Sequence, residues 1–142
     1  MNDAVLLDTC AVIWLAGGDR LAPEAVAAIV HAGLHGGVFV SPISAWEAGM
    51  LSKPRPGRAE VVRFLPDPAA WFARFMAGAG IKQATVTPDI AVAASWLAGE
   101  LHGDPADRLI IATARHLGLP IVTRYRKIIA YAEPGEVAVI AC

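Results

Sequence analysis

The chain has 142 residues, of which 56% are hydrophobic and 18% are charged, and its formal net charge is −1. This length predicts one domain with a substantial core, and the high apolar content excludes a disordered protein. The near-neutral charge excludes nucleic-acid binding through an overall positive field, so any such binding needs a local basic patch or a metal. Two cysteines, Cys10 and Cys142, are too few for a disulfide scaffold and favour a reduced, cytoplasmic setting.

Strands and helices alternate along the predicted chain. Short apolar runs predict strands, and amphipathic segments that begin at capping residues or prolines and end at glycines predict helices. In chain order we expect strand 4–7, helix 10–15 capped by Thr9, a helix from 23 to the glycines at 36 and 37, strand 38–40, helix 43–51, a helix from 67 to about 78, strand 83–87, helix 88–101, helix 103–118, strand 120–123, a helical turn at 128–131 and strand 137–140.

This alternation predicts a parallel sheet with helices on both faces, which binds its ligands beyond the carboxyl ends of the strands. No apolar run reaches the roughly 18–20 residues of a membrane-spanning helix. The first three residues also lack the basic start of a signal peptide. We therefore expect no membrane association.

Acidic residues fall where such a sheet would gather them. Asp8 follows the first strand, Glu47 lies within an apolar helix, and Asp104 and Asp107 share one face of a later helix start. Clustered carboxylates repel one another, so a folded protein keeps them beside a compensating cation. Oxygen ligands without Cys or His favour Mg²⁺ or Mn²⁺, and carboxylate-held metal pairs commonly hydrolyse phosphodiesters.

Each acid also has a structural interpretation. Asp104 before Pro105 is typical of a helix N-cap, and Asp107 in the first turn suits the helix dipole. Asp8 could cap the helix that follows its strand, and Glu47 could lie on a solvent-exposed helix face. The metal site is favoured by the combination of acids and by no single member.

Three motifs resemble the PIN domain family, and most closely its VapC toxins of bacterial VapBC toxin–antitoxin pairs. They are LLDT at 6–9, SAWE at 44–47 and DPADRLIIATA at 104–114. The resemblance covers essentially the whole chain and implies a single PIN domain over residues 1–142. It implies the α/β class, with a three-layer α/β/α sandwich around a mostly parallel sheet.

The resemblance also implies an Mg²⁺- or Mn²⁺-dependent endoribonuclease, the toxin of a type II toxin–antitoxin pair. Such toxins leave a 5′-phosphate and a 3′-hydroxyl, are silenced by a VapB-like antitoxin and usually form homodimers. Carried onto this chain, the catalytic acids are Asp8, Glu47, Asp104 and Asp107, with all but Asp104 as metal ligands. Thr9 would orient Asp8 or a metal-bound water.

One position departs from the family pattern. Where the family has Thr, any residue and then Asp, this chain has Thr123-Arg124-Tyr125. A phenol is neutral at pH 7 and a poor Mg²⁺ ligand, so the second metal is in question. Thr123 could still hold a water or a phosphate. The alternative function is a catalytically impaired PIN-like protein that binds RNA or an antitoxin.

Basic residues near the acids would contact RNA phosphates. The predicted RNA-binding residues are Arg55, Arg108, Arg124 and Arg126. The same candidate basic patches also contain Lys53, Arg58, Arg63 and Lys127. The alternative for each is an ordinary solvated surface charge.

Several other residues receive structural interpretations. We expect Cys10 to be buried and the tryptophans to pack in the core, namely Trp14, Trp46, Trp71 and Trp96. The alternative for Trp46, which is next to Glu47, is stacking on a base or on an antitoxin side chain. His31 and His35 have zinc-like spacing but no third ligand nearby, which favours a solvated helix face. A phospho-acceptor role for Asp8 would require a second acid beside it, and Thr9-Cys10 supplies none.

Overall fold

The computed structural model describes residues 3–57, 62–97, 104–132 and 137–142. Its centre is a five-stranded sheet in the order β3-β2-β1-β4-β5, and every neighbouring pair is parallel. The strands are β1 Ala4–Leu7, β2 Gly37–Val40, β3 Ile81–Gln83, β4 Ile121–Thr123 and β5 Val139–Ala141. The predicted α/β class and central parallel sheet are therefore confirmed.

Helices connect the strands, and most begin as the sequence signals predict. They are α1 Thr9–Gly17, α2 Pro23–Leu34, α3 Pro42–Leu51, α4 Pro68–Met76, α5 Pro88–Ser95, α6 Pro105–Leu117 and α7 Arg126–Ala132. Proline opens α2 through α6, where its fixed φ suits the first turn and its missing N–H is not needed. None of the helices in the described ranges is long and apolar enough to cross a membrane.

The two faces of the sheet carry separate cores. Val5 and Leu7 pack into a cluster with residues of α1, α2 and α4, whereas Leu6 packs with residues of α6 and α7. This alternation is the period-two pattern of a strand buried on both faces. The protein is therefore a three-layer α/β/α sandwich, as predicted.

The topology creates a crevice beside β1. In the sheet, β2 and β3 lie on one side of β1, whereas β4 and β5 lie on the other side. The strand order reverses between β1 and β4, and ligands of open α/β sheets bind at such a point beyond the carboxyl ends. Asp8 and Thr123 stand at those two ends.

Two predicted elements before α6 were wrong. The strand predicted at 83–87 lies at Ile81–Gln83, because Thr87 caps α5 by accepting a hydrogen bond from the Ile90 N–H. The helix predicted at 88–101 ends at Ser95, where Arg108 binds carbonyl oxygens of its last turn. Residues 98–101 lie outside the described chain.

Two elements after β4 also differ from prediction. The helical turn predicted at 128–131 is a longer helix, Arg126–Ala132. The last strand begins two residues later than predicted, at Val139.

Three side chains are more exposed than predicted. Trp46 is 57% exposed and Trp96 is 84% exposed, so neither belongs to the core. Cys10 is also exposed, because it lies on the side of α1 opposite the buried Ala11 and Val12. Trp14 and Trp71 pack partly buried against the core around α1 and α2, as predicted.

Candidate active site at the carboxyl ends of the strands

Asp8 connects the end of β1 to the start of α1. It is the N-cap of α1, and its Oδ1 accepts a hydrogen bond of 2.8 Å from the Ala11 N–H. Its Oδ2 accepts a short hydrogen bond from Thr123 Oγ1, at the end of β4. The cap is thus Asp8 and not Thr9 as predicted. Asp8 is 4% exposed, so the two bonds fix a nearly buried carboxylate.

The buried position makes the charge of Asp8 costly. The pKa of Asp8 is raised to about 6, mainly by burial and in smaller part by the negative charge of Asp107. The hydrogen bonds from Thr123 and Ala11 act in the opposite direction without cancelling the effect of burial. A cation at this place would relieve the cost and keep the carboxylate ionised.

Glu47 is brought to the site by α3. Its Oε1 accepts a short hydrogen bond from Thr9 Oγ1, and Thr9 Oγ1 lies 2.9 Å from Ser44 Oγ. The structure therefore brings Thr9 to Glu47, whereas the resemblance suggested Asp8 or a bound water. Burial raises the pKa of Glu47, and the charges of Asp107, Asp104 and Asp8 raise it further.

Asp104 and Asp107 occupy the first turn of α6. Asp104 is its N-cap, and its Oδ1 accepts hydrogen bonds from the N–H groups of Ala106 at 2.9 Å and Asp107 at 3.4 Å. Asp107 is only 9% exposed, although it sits on a helix start where acids are commonly solvated. Its charge acts on both Asp8 and Glu47. Acids from three distant segments therefore share one electrostatic environment.

The donor set suits a hard divalent cation. In residues 3–57, 62–97, 104–132 and 137–142, no group of three or more His, Cys, Asp or Glu side chains is arranged to hold a metal ion. Mg²⁺, however, is usually bound through one or two carboxylates and keeps several waters. The buried carboxylate of Asp8 and the partly buried carboxylate of Glu47, whose pKa values are raised, are donors of the type that such an ion takes.

The negative charges of the site also raise the pKa of the Cys10 thiol. Its pKa is raised to about 11, first by partial desolvation and then by the charges of Asp8, Glu47 and Asp107. Such a thiol is protonated near neutral pH, so a nucleophilic role for Cys10 has no support.

Comparison with known proteins decides the family. The sequence model of the PIN domain family matches residues 5–134. The chain belongs to the PIN domain family. It is also 32% identical over 136 residues to Ribonuclease VapC22 of Mycobacterium tuberculosis, and this match covers 95% of the chain and 97% of the relative. The predicted resemblance is thereby confirmed.

Solved structures agree on the fold. VapBC2 from Rickettsia felis, bound to a DNA fragment from their promoter, matches with a TM-score of 0.67 at 12% identity, covering 97% of this chain and 98% of that one. A toxin–antitoxin complex from Klebsiella pneumoniae matches with a TM-score of 0.60 at 23% identity, covering 96% and 95%. These matches support the fold of this PIN domain, from β1 to β5.

Tyr125 lies directly beside the paired side chains of Asp8 and Thr123 in this PIN domain. Its backbone N–H donates a 3.0 Å hydrogen bond to Thr123 Oγ1, the same hydroxyl that donates to Asp8. Thr123 is therefore engaged with protein groups on both sides, whereas the sequence suggested a water or a phosphate. Tyr125 is 37% exposed.

The predicted RNA-binding arginines occupy different positions in the PIN domain. Arg55 lines a pocket of about 300 Å³ together with Trp46, Glu47 and Asp104. Arg108 donates to the carbonyl oxygens of Ala94 and Ser95 at 3.0 and 3.4 Å, which ties α6 to the end of α5.

Arg124 is engaged within the protein as well. Its guanidinium lies 3.9 Å from the ring centre of Trp14 and donates to the carbonyl oxygens of Cys142 and Arg20. Arg126 is exposed near the start of α7. Lys53, Arg63 and Lys127 are exposed too, and Arg58 lies outside the described residues.

The two histidines on α2 form a surface pair. The rings of His31 and His35 stack at 4.1 Å, and His31 Nε2 lies 3.0 Å from Asp3 Oδ1. The hydrogen bond from His31 lowers the pKa of Asp3. This contact fits the predicted helix surface and not a zinc site.

Sequence reasoning missed one feature of the site and misjudged another. Ser44 is fully buried and contacts Thr9, yet in the sequence it is one small residue in an apolar helix. Trp46 lines the pocket beside Glu47 and is exposed, so the expected core packing was wrong. The sequence-based alternative, stacking on a base or an antitoxin side chain, stays a prediction.

Proposed function

We propose that this PIN domain is a divalent-metal-dependent endoribonuclease, the toxin of a type II toxin–antitoxin pair. The observation that carries the proposal is the gathering of acids around Glu47: burial raises the pKa of Glu47, and the charges of Asp107, Asp104 and Asp8 raise it further. The identity with Ribonuclease VapC22 over nearly the full length supports RNA as the substrate. A VapB-like antitoxin and a second copy of the chain are the proposed partners, and the cytoplasm is the proposed setting.

Asp8, Glu47 and Asp107 are the proposed ligands, and Asp104 is a further proposed catalytic acid. Because the described side chains are not arranged as a three-ligand cluster, the ion would take one or two of these carboxylates at a time and keep several waters. Mg²⁺ or Mn²⁺ supplies an activated water and stabilises the leaving oxygen when it is bound. The protein keeps the carboxylates in place through the hydroxyls of Thr9 and Thr123, which donate to Glu47 and Asp8. Hydrogen bonds that fix the ligands are an established means of tuning a metal site.

The pocket beside Glu47 and Asp104 is the proposed position of an RNA nucleotide. The exposed indole of Trp46 offers a surface on which a base can stack, and Arg55 offers a cation for a phosphate. Arg126, exposed at the start of α7, is proposed as a second phosphate contact. Arg108 and Arg124 support the fold in this proposal, because their guanidinium groups bind carbonyl oxygens.

Tyr125 favours a second candidate function, a PIN domain that binds RNA or an antitoxin without cutting. A phenol stands where the family pattern has an acid, and the backbone N–H of Tyr125 binds the Thr123 hydroxyl that holds Asp8. Under this alternative the remaining acids would bind a metal without supporting hydrolysis.

One experiment separates the two functions. Purified protein is incubated with labelled RNA and Mg²⁺ or Mn²⁺, with and without a chelator, and cleavage is compared with that of Asp8→Asn. The control is Asp67→Asn, the same change at the N-cap of α4, where Asp67 Oδ1 binds the Ala70 N–H. Cleavage that requires metal and Asp8 but not Asp67 supports the nuclease. Metal binding without cleavage supports the binder, and cleavage by Asp8→Asn at the original rate contradicts the assignment.

A further inference from the structure

Two buried hydroxyls stand in line with Glu47. Ser44 is fully buried and Thr9 is 6% exposed, and their oxygens are 2.9 Å apart. The Thr9 hydroxyl also contacts Glu47 Oε1. Within the described part of the chain, no hydrogen bond reaches the second oxygen of this carboxylate, Oε2.

The chemistry of the groups sets the direction of the hydrogen bonds. A hydroxyl has one proton to donate, and an ionised carboxylate only accepts. Thr9 therefore donates its proton to Glu47, and it must accept the proton of Ser44. The order is Ser44 Oγ–H to Thr9 Oγ1–H to Glu47 Oε1, in which each bond polarises the next.

The position of Ser44 follows from the helix period. Ser44 and Glu47 are three residues apart on α3, so both side chains lie on the same face. Thr9 reaches this face from the first turn of α1. Without the Ser44 proton, the Thr9 hydroxyl could rotate away from the carboxylate.

We propose that Ser44 is a positioning residue for Glu47, acting through Thr9. The inference rests on the proposed function, in which Glu47 is a metal ligand. Asp8, Asp104 and Asp107 repel Glu47, and this repulsion favours rotation of its side chain away from them. The two hydroxyls oppose that rotation by holding Oε1, which leaves Oε2 for a divalent ion or its water.

A double-mutant cycle tests the inference. The four proteins are wild type, Ser44→Ala, Thr9→Val and the double variant, where valine keeps the shape of threonine without the hydroxyl. The first readout is Mn²⁺ affinity by calorimetry, and the second is kcat and KM for RNA cleavage. We expect Ser44→Ala to weaken Mn²⁺ binding about two- to tenfold and to lower kcat with KM nearly unchanged. In the Thr9→Val background it should change the Mn²⁺ affinity by less than about twofold.

Two further variants separate positioning from folding. Ser41→Ala removes another buried serine of the same helix, the N-cap whose hydroxyl accepts from the Ile43 N–H. It should lower the melting temperature with little effect on Mn²⁺ affinity. Thr9→Ser keeps the hydroxyl and should retain an affinity within about twofold of wild type, and Ser44→Ala should still weaken binding in that background.

Several results would overturn the inference. An equal effect of Ser44→Ala in the wild-type and Thr9→Val backgrounds would show that Ser44 acts by another route. Unchanged Mn²⁺ affinity in Ser44→Ala, or a Thr9→Ser variant as weak as Thr9→Val, would also contradict it. If the wild type cleaves RNA, any of these results would contradict only the role of the two hydroxyls and would leave the proposed function standing. A wild type that neither binds Mn²⁺ nor cleaves RNA would remove both the inference and the proposed function.

Discussion

Replacing the buried charge of Asp8 should stabilise the metal-free protein while abolishing its activity. Burial raises the pKa of Asp8 from its ordinary 3.8 to about 6. At about 1.4 kcal/mol for each pKa unit, the ionised carboxylate costs the folded state about 3 kcal/mol. Asp8→Asn removes this charge, and its single amide oxygen can keep the N-cap bond from the Ala11 N–H. The amide NH2 then faces Thr123 Oγ1, whose hydroxyl must turn its proton away, so part of the gain is lost. We expect the variant to be more stable than wild type by up to about 3 kcal/mol at pH 7.

The raised pKa of Asp8 also predicts how the free energy of unfolding depends on pH. Because the folded pKa lies above the unfolded one, the folded state holds the proton between about pH 3.8 and 6, where the unfolded state has released it. The free energy of unfolding of the wild type therefore falls as pH rises through this range, relative to Asp8→Asn. The difference between the two proteins should grow from near zero at about pH 4 to its full value at about pH 7.

Urea denaturation in the presence of a chelator measures this difference at each pH. Asp67→Asn serves as the control, since it replaces a capping carboxylate by an amide at the exposed start of α4. Mn²⁺ should then stabilise the wild type and not Asp8→Asn, because a ligand stabilises only the state that binds it. A difference that stays constant from about pH 4 to 7 would refute the argument from burial.

Three other substitutions test the remaining assignments. Tyr125→Asp should raise Mn²⁺ affinity and the cleavage rate, whereas Tyr125→Phe should raise neither, and a lack of gain in Tyr125→Asp would show that the phenol does not replace a ligand. Trp46→Ala should raise KM for RNA about five- to a hundredfold, because stacking contributes about 1–3 kcal/mol per base, and Trp96→Ala should leave KM unchanged. Arg124→Ala should lower the free energy of unfolding by about 1–3 kcal/mol through its lost carbonyl and Trp14 contacts, and weaker RNA binding at unchanged stability would instead support the sequence-based role.

The fold could be predicted because its signals are local. Proline before a helical run marks the first turn of α2 through α6, and a capping side chain precedes α3, α4, α5 and α6. The fully apolar strand Ala4–Leu7 is typical of a sheet covered on both faces. Once the helices and strands are located along the chain, the preference for right-handed crossovers allows few ways to arrange them in a parallel sheet.

The elements that were misjudged depend on contacts between distant residues. The β-branched run at 85–87 suggested a strand, but its last residue, Thr87, accepts a hydrogen bond at the start of α5. Arg108 fixes where α5 ends, although it lies in the next helix. Trp46 is exposed because the buried face of α3 is taken up by Ala48 and Ser44, a choice that residue type alone does not reveal.

Capping and catalysis are not alternatives at this site. Asp8 caps α1 through one oxygen and is held by Thr123 through the other, so the local helix signal also fixes the carboxylate for its proposed role. Asp104 likewise caps α6, and this cap orients the first turn that buries Asp107. The N–H groups at a helix start favour negative charge and partly offset the repulsion between the acids. Two helix N-termini therefore allow carboxylates to stay close together before any cation binds.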